Sequence, residues 1–117
     1  MLAALLIVLL TLTPLGTTDG GCAFTLPCVL GHFVVFLVLG VAAAGLYATA
    51  AAARRSPRRV LLMIVLAIWL FAALDEFAQE AVIGRGAQFG DWLADMLGAL
   101  SGLIAGSFLL RRLVRRA

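Results

Sequence analysis

Charge is scarce in this sequence. Only 13% of its 117 residues are charged, where a soluble domain carries about a quarter. That shortfall excludes an ordinary water-soluble fold. Lysine is absent, and all nine basic residues are arginine. This absence reads as codon usage and carries no function. There is one histidine, so no two-histidine spacing of the zinc type exists. The sequence shows no nucleophile–base pair, no metal motif and no glycine-rich phosphate loop. Enzyme chemistry would show in such patterns. The chain therefore reads as non-enzymatic, with no catalytic residue, no metal and no cofactor expected.

Apolar residues fill the space that charge leaves. They make up 64% of the chain, and mean hydropathy is +1.14. The expected fold is all-α: a four-transmembrane-helix bundle forming a single membrane domain over residues 1–117. Its helices are expected at about residues 2–15, 28–53, 60–83 and 91–110. The first is short for a span of about 20 residues. It reads either as a retained membrane helix or as the apolar part of a signal peptide. Residues 16–27 are rich in turn formers and read as a loop. Pro57 ends one helix or starts the next.

The charges are segregated. Eight of the nine arginines lie in RRSPRR, residues 54–59, and RRLVRR, residues 111–116. Neither cluster interleaves aromatics, which argues against nucleic acid as a partner. Both abut apolar spans and read as topology signals. Two expected helices separate them, so both fall on one side. The positive-inside rule makes that side cytoplasmic, with both termini there. Multi-pass insertion in the bacterial inner membrane follows as the expected location, with the lipid bilayer as the first partner. The 16–27 loop and the turn around Arg85 then face outward.

Five of the six acidic residues stand between Leu74 and Gly98: Asp75, Glu76, Glu80, Asp91 and Asp95. Arg85, in Gly84-Arg85-Gly86, is the arginine outside the two clusters. Charge set between apolar helices is costly unless it faces other charge or a wet cavity. Asp75 and Gln79 share a helix face at spacing four, and Glu76 and Glu80 share the next. At about 1.5 Å per residue, Asp75 lies about 22 Å along its helix. Asp91 suits a helix start, where a carboxylate caps free N–H groups. Asp95 is one turn deeper and is no cap. Two acids at that depth are expected to share a proton or to bridge through Gln79. His32 stands at the same depth and is expected to hydrogen-bond a neighbouring acid. Arg85 reads either as a salt bridge fixing the turn or as a grip for a phosphate or carboxylate. The expected polar cluster is thus His32, Asp75, Glu76, Gln79, Arg85, Asp91 and Asp95.

Gly98, Gly102 and Gly106 repeat at spacing four and make a flat stripe for close helix packing. Its partner is either an internal helix or another protein. The alanine run at residues 50–53 reads as helix filler. Cys22 and Cys28 flank the outer loop. An oxidising exterior allows them a disulfide, or they are two unrelated small residues.

Several of these residues also fall in a familiar order. They are Gly31-His32-Phe33 with Phe36 and Leu39, then Asp75-Glu76-Phe77-Ala78-Gln79, then Gly84-Arg85, then Asp91-Trp92-Leu93-Ala94-Asp95-Met96-Leu97-Gly98. Together, over roughly residues 28–106, they resemble the VanZ-like family of small membrane proteins. Two departures stand out. That family usually has Asp-Lys ahead of the histidine, where this chain has Cys28-Val29. It usually has asparagine where Asp95 stands. The resemblance implies a place in the bacterial cell envelope more than a defined chemistry.

Three functions are weighed. The first is an envelope protein binding an anionic lipid or a glycopeptide at the His32–Arg85 cluster. The second is a small accessory subunit of a larger membrane complex, marked by an apolar small-residue face left uncovered. The third and weakest is an enzyme on a lipid-linked substrate, with Asp75 or His32 as general base. A disulfide between Cys22 and Cys28 keeps both thiols from maleimide on the unreduced protein. Labelling of both would remove the bond.

Overall fold

In hydrocarbon a chain has to satisfy its own backbone polar groups, and a helix does so within one segment. The computed structural model describes residues 26–83 and 89–116, with side chains for 29–81 and 89–113. Every element there is helical: α1 Leu26–Thr49, α2 Ala51–Arg55, α3 Pro57–Ile83 and α4 Phe89–Arg116. Three of them hold stretches long and apolar enough to cross a membrane: Val29–Thr49, Pro57–Ala81 and Phe89–Leu113. The helix expected at residues 2–15, the turn Gly84–Gly86, Cys22 and the side chain of Cys28 lie outside the described residues.

The helix ends differ from the expected ones. The helix expected over 28–53 stops at Thr49, and Ala50 is extended, with φ −69° and ψ 122°. Alanine favours helix, so the break lies against local propensity. The Thr49 hydroxyl donates to the carbonyls of Gly45 and Leu46, each at 3.1 Å. Such back-bonding competes for helix acceptors and bends helices. Pro57 opens α3. At the first helical position its missing N–H costs nothing and its fixed φ fits. At the far end α4 runs on through the arginines to Arg116, since arginine is a good helix former.

Two helix interfaces use opposite means. α1 and α4 run parallel and in step. A β-carbon placed on Gly98 would fall on the Phe33 carbonyl oxygen, and one on Gly102 on that of Leu37. One on Gly106 would lie 2.9 Å from the Ala44 β-carbon. From the other side, one on Gly40 would fall on the Ala99 carbonyl oxygen. The glycine stripe therefore packs on α1, and this is where backbones come closest. Gly98, Gly102 and Gly40 each turn a Cα–H toward a facing carbonyl, a contact worth about 0.5–1 kcal/mol.

α3 runs opposite to α1 and packs through large side chains. His32 faces Glu76, and Phe36 faces Phe71 with ring centroids 5.9 Å apart. Trp69 meets Trp92 of α4 at 5.8 Å. Phe36, Ala44, Ile68, Ala72, Ala99 and Leu103 form the apolar centre. The outer faces carry exposed Leu61, Leu62, Met63, Leu66, Leu70 and Ile104. Such a surface suits lipid and not water.

With α1 and α4 parallel, Arg54, Arg55, Arg58 and Arg59 share one end of the bundle with Arg111 and Arg112. The buried acids occupy the other. The expected segregation of charge is thus present in three dimensions.

Gly102→Ala forces the α1 and α4 backbones apart and costs about 1–3 kcal/mol. Gly45 has nothing within 4 Å of its would-be β-carbon, so Gly45→Ala leaves stability unchanged or slightly raised. Thermal unfolding in detergent micelles compares the two.

Candidate functional site

The polar residues at the acid end converge because three helices bring them there. On α3, Ala72, Asp75, Glu76 and Gln79 are buried, while Glu80 and Phe77 point outward. On α4, Asp91 and Asp95 are one turn apart on the face that α1 covers. On α1, His32 lies one turn before Phe36 on the inward side. His32, Asp75, Glu76, Gln79, Asp91 and Asp95 are each no more than 5% exposed. Buried carboxylates at this density have to be paired, hydrogen-bonded or on a metal.

His32 is the hub. Its Nδ1 lies 2.9 Å from Asp95 Oδ1, a hydrogen bond by distance. Glu76 Oε1 is 3.9 Å from the same nitrogen. Asp91 Oδ2 is 3.9 Å from Nε2, across the ring. The imidazole is therefore flanked by three carboxylates contributed by two helices. Gln79 donates from Nε2 to Asp75 Oδ2 at 3.0 Å, within α3. Among the described residues, Asp95 Oδ2 and Gln79 Oε1 are buried with no hydrogen-bond partner.

The expected hydrogen bond of His32 to a neighbouring acid is present, and Asp75 meets Gln79 at the expected spacing of four; the expected pairing of Asp75 with Asp95 differs. The partner of Asp95 is His32, not Asp75. Gln79 ties Asp75 along its own helix and does not bridge to Asp95. Asp91 lies inside the first turn of α4, not ahead of it as a cap. It still lies where a helix start favours negative charge. Glu80, on the exposed side, takes no part. Arg85 lies outside the described residues.

The Trp69–Trp92 contact was not foreseen. Trp69 is half exposed, and nothing in its local sequence names a partner on another helix. Gly40 stands outside the Gly98–Gly106 stripe. Its role as the counterpart of Ala99 needs the α1–α4 register, which no local pattern carries.

A groove of about 480 Å³ lies at the opposite end, lined by Ala51, Ala52, Arg55, Ser56, Arg59, Val60 and Met63. It is open and its arginines are exposed. The buried chemistry is at the acid end, and the candidate site is placed there.

Chemically the cluster can hold a proton between imidazole and carboxylate, or it can ligate a cation. His32, Glu76 and Asp95 each offer a ligand atom, and these atoms lie within 4.8 Å of one another.

His32→Ala and Asp95→Ala each cost about 1–3 kcal/mol, since each leaves a buried polar group unmatched. The double variant costs less than the sum, by about 0.5–3 kcal/mol. Additive losses in unfolding titrations would show that the 2.9 Å contact contributes nothing.

No protein-family model, no curated protein and no solved structure matches this chain.

Proposed function

We propose that this chain is a VanZ-like integral membrane protein of the bacterial cell envelope, with a binding role and no enzymatic one. It sits in the cytoplasmic membrane with both termini inside. Its polar cluster faces outward and takes an anionic lipid head group or a glycopeptide, gripped by Arg85. The observation that carries this reading is the convergence of six buried polar residues from three apolar helices at one end. Intramembrane ionisable groups are expensive and mark functional sites by default. The order of the motifs around His32, Asp75, Arg85 and Asp91 supports the family.

A second reading is an accessory subunit of a larger membrane complex. One observation favours it. Once α4 has taken the glycine face, α1 still presents Ala42, Gly45, Ala48 and Thr49, small residues with little packed on them among the described residues. A surface of this kind suits another helix.

One experiment separates the two. The full chain is purified in mild detergent, and everything retained is identified by mass spectrometry. The binding reading expects a small bundle carrying anionic lipid or glycopeptide, and Arg85→Ala loses most of that material at unchanged expression. A stoichiometric large membrane complex supports the accessory reading. A bare bundle, or full retention by Arg85→Ala, overturns the ligand-gripping role.

A further inference from the structure

We propose that His32, Glu76 and Asp95 together hold one divalent transition-metal ion at the acid end of the bundle. The ion site goes beyond the ligand reading above and does not depend on it. Sequence spacing gives no hint of it, because the ligands come one each from α1, α3 and α4.

Four observations carry the site. First, the geometry is close to what an ion needs. His32 Nδ1 is 2.9 Å from Asp95 Oδ1 and 3.9 Å from Glu76 Oε1, and the three ligand atoms lie within 4.8 Å of one another. Ligands on one zinc ion stand at about 2.0–2.2 Å from it, so two of them are at most about 4.4 Å apart. Small side-chain rotations close the trio on a shared centre.

Second, Asp95 is 0% exposed, and its Oδ2 has no hydrogen-bond partner among the described residues. It belongs to the same carboxylate whose other oxygen touches His32, so an ion held by both oxygens of Asp95 would engage it. An orphaned buried oxygen is costly in the ion-free protein, and an ion would relieve it.

Third, a carboxylate stands on the far side of the ring, beyond hydrogen-bond length but close enough to orient the second nitrogen. Asp91 Oδ2 lies 3.9 Å from His32 Nε2. Ligating histidines typically have their second ring nitrogen oriented by a carboxylate, carbonyl or water. With Nδ1 on the ion, the proton sits on Nε2 and faces Asp91.

Fourth, an ion offsets buried negative charge. The three ligands and a divalent cation sum to zero, with Asp91 left beside the ring. A buried site of low dielectric favours that sum over two bare carboxylates. Mixed imidazole and carboxylate ligands suit zinc or manganese. Binding releases the proton held between His32 and Asp95, so the ion replaces that hydrogen bond and does not add to it.

The test uses the full chain in detergent, with any affinity tag cleaved, stripped by a chelator, loaded with zinc and desalted. Elemental analysis should find one zinc per chain, and the unfolding temperature should rise on loading. His32→Gln and Asp95→Asn should lose the retained zinc. Asp91→Asn should weaken binding by about 10–100-fold. The exposed Glu80→Gln should bind as the wild type does. A wild type that keeps no zinc or manganese and shows no thermal shift overturns the site. Retention of zinc by both His32→Gln and Asp95→Asn at wild-type affinity overturns it as well. Should those variants fail to fold, cobalt titration of the wild type decides. Intensified visible absorption that zinc abolishes supports the site, and an unchanged aqueous cobalt spectrum overturns it.

Discussion

The close contact of α1 with α4 is the constraint from which the rest of this bundle follows. Gly98 and Gly102 let the α4 backbone approach the carbonyls of Phe33 and Leu37, and Gly40 admits Ala99 from the other side. Water does not drive this association, because lipid is as apolar as the side chains it would replace. Packing and weak Cα–H contacts have to suffice, and they require small residues. The same register sets His32 beside Asp95, one helical turn before the first of these glycines. A wider spacing between α1 and α4 would open the 2.9 Å contact and leave a buried carboxylate facing hydrocarbon. The glycine stripe and the polar cluster are therefore one construction.

α3 closes the cluster by other means. Its interface rests on rings and branched chains, as in Phe36 against Phe71 and Trp69 against Trp92. Large side chains hold a helix at a distance that small ones cannot. That distance leaves room between α3 and the α1–α4 pair for Glu76 to reach His32 and for Gln79 to bond Asp75. The polar groups lie at the end opposite the arginines. A basic end, an apolar middle and an acidic end thus lie along one axis. The apolar middle isolates the acids from the arginine clusters, so the cluster has to find its balance locally. An imidazole or a bound cation can supply it.

Much of this was legible in the residues. The long apolar runs announced helices, and the distribution of arginine and acid announced the two ends. The spacing of Gly98, Gly102 and Gly106 announced a close contact. His32, Asp75, Glu76, Gln79, Asp91 and Asp95 stood out as polar residues in apolar surroundings, and all six are buried together. That His32 would bond an acid and that Asp75 would meet Gln79 was legible too, but which acid His32 takes was not. Asp75 and Asp95 looked like partners because both are acids at similar depth on successive helices. The Asp95 carboxylate instead meets a histidine 63 residues away. Ala50 was unreadable for a similar reason. Alanine prefers helix, and the break follows a residue whose hydroxyl bonds back to helix carbonyls.

By itself the sequence determined the environment, the helical class and the set of polar residues. Those follow from composition and from periodicity along a single helix, which are local properties of the chain. Only the tertiary structure decided which carboxylate His32 touches, which helix fills the glycine stripe, and that His32, Glu76 and Asp95 come within ligand distance of one another. These depend on the register and separation of helices from different parts of the chain. Register is fixed by the sum of many weak contacts across an interface, and no single stretch of residues holds that sum.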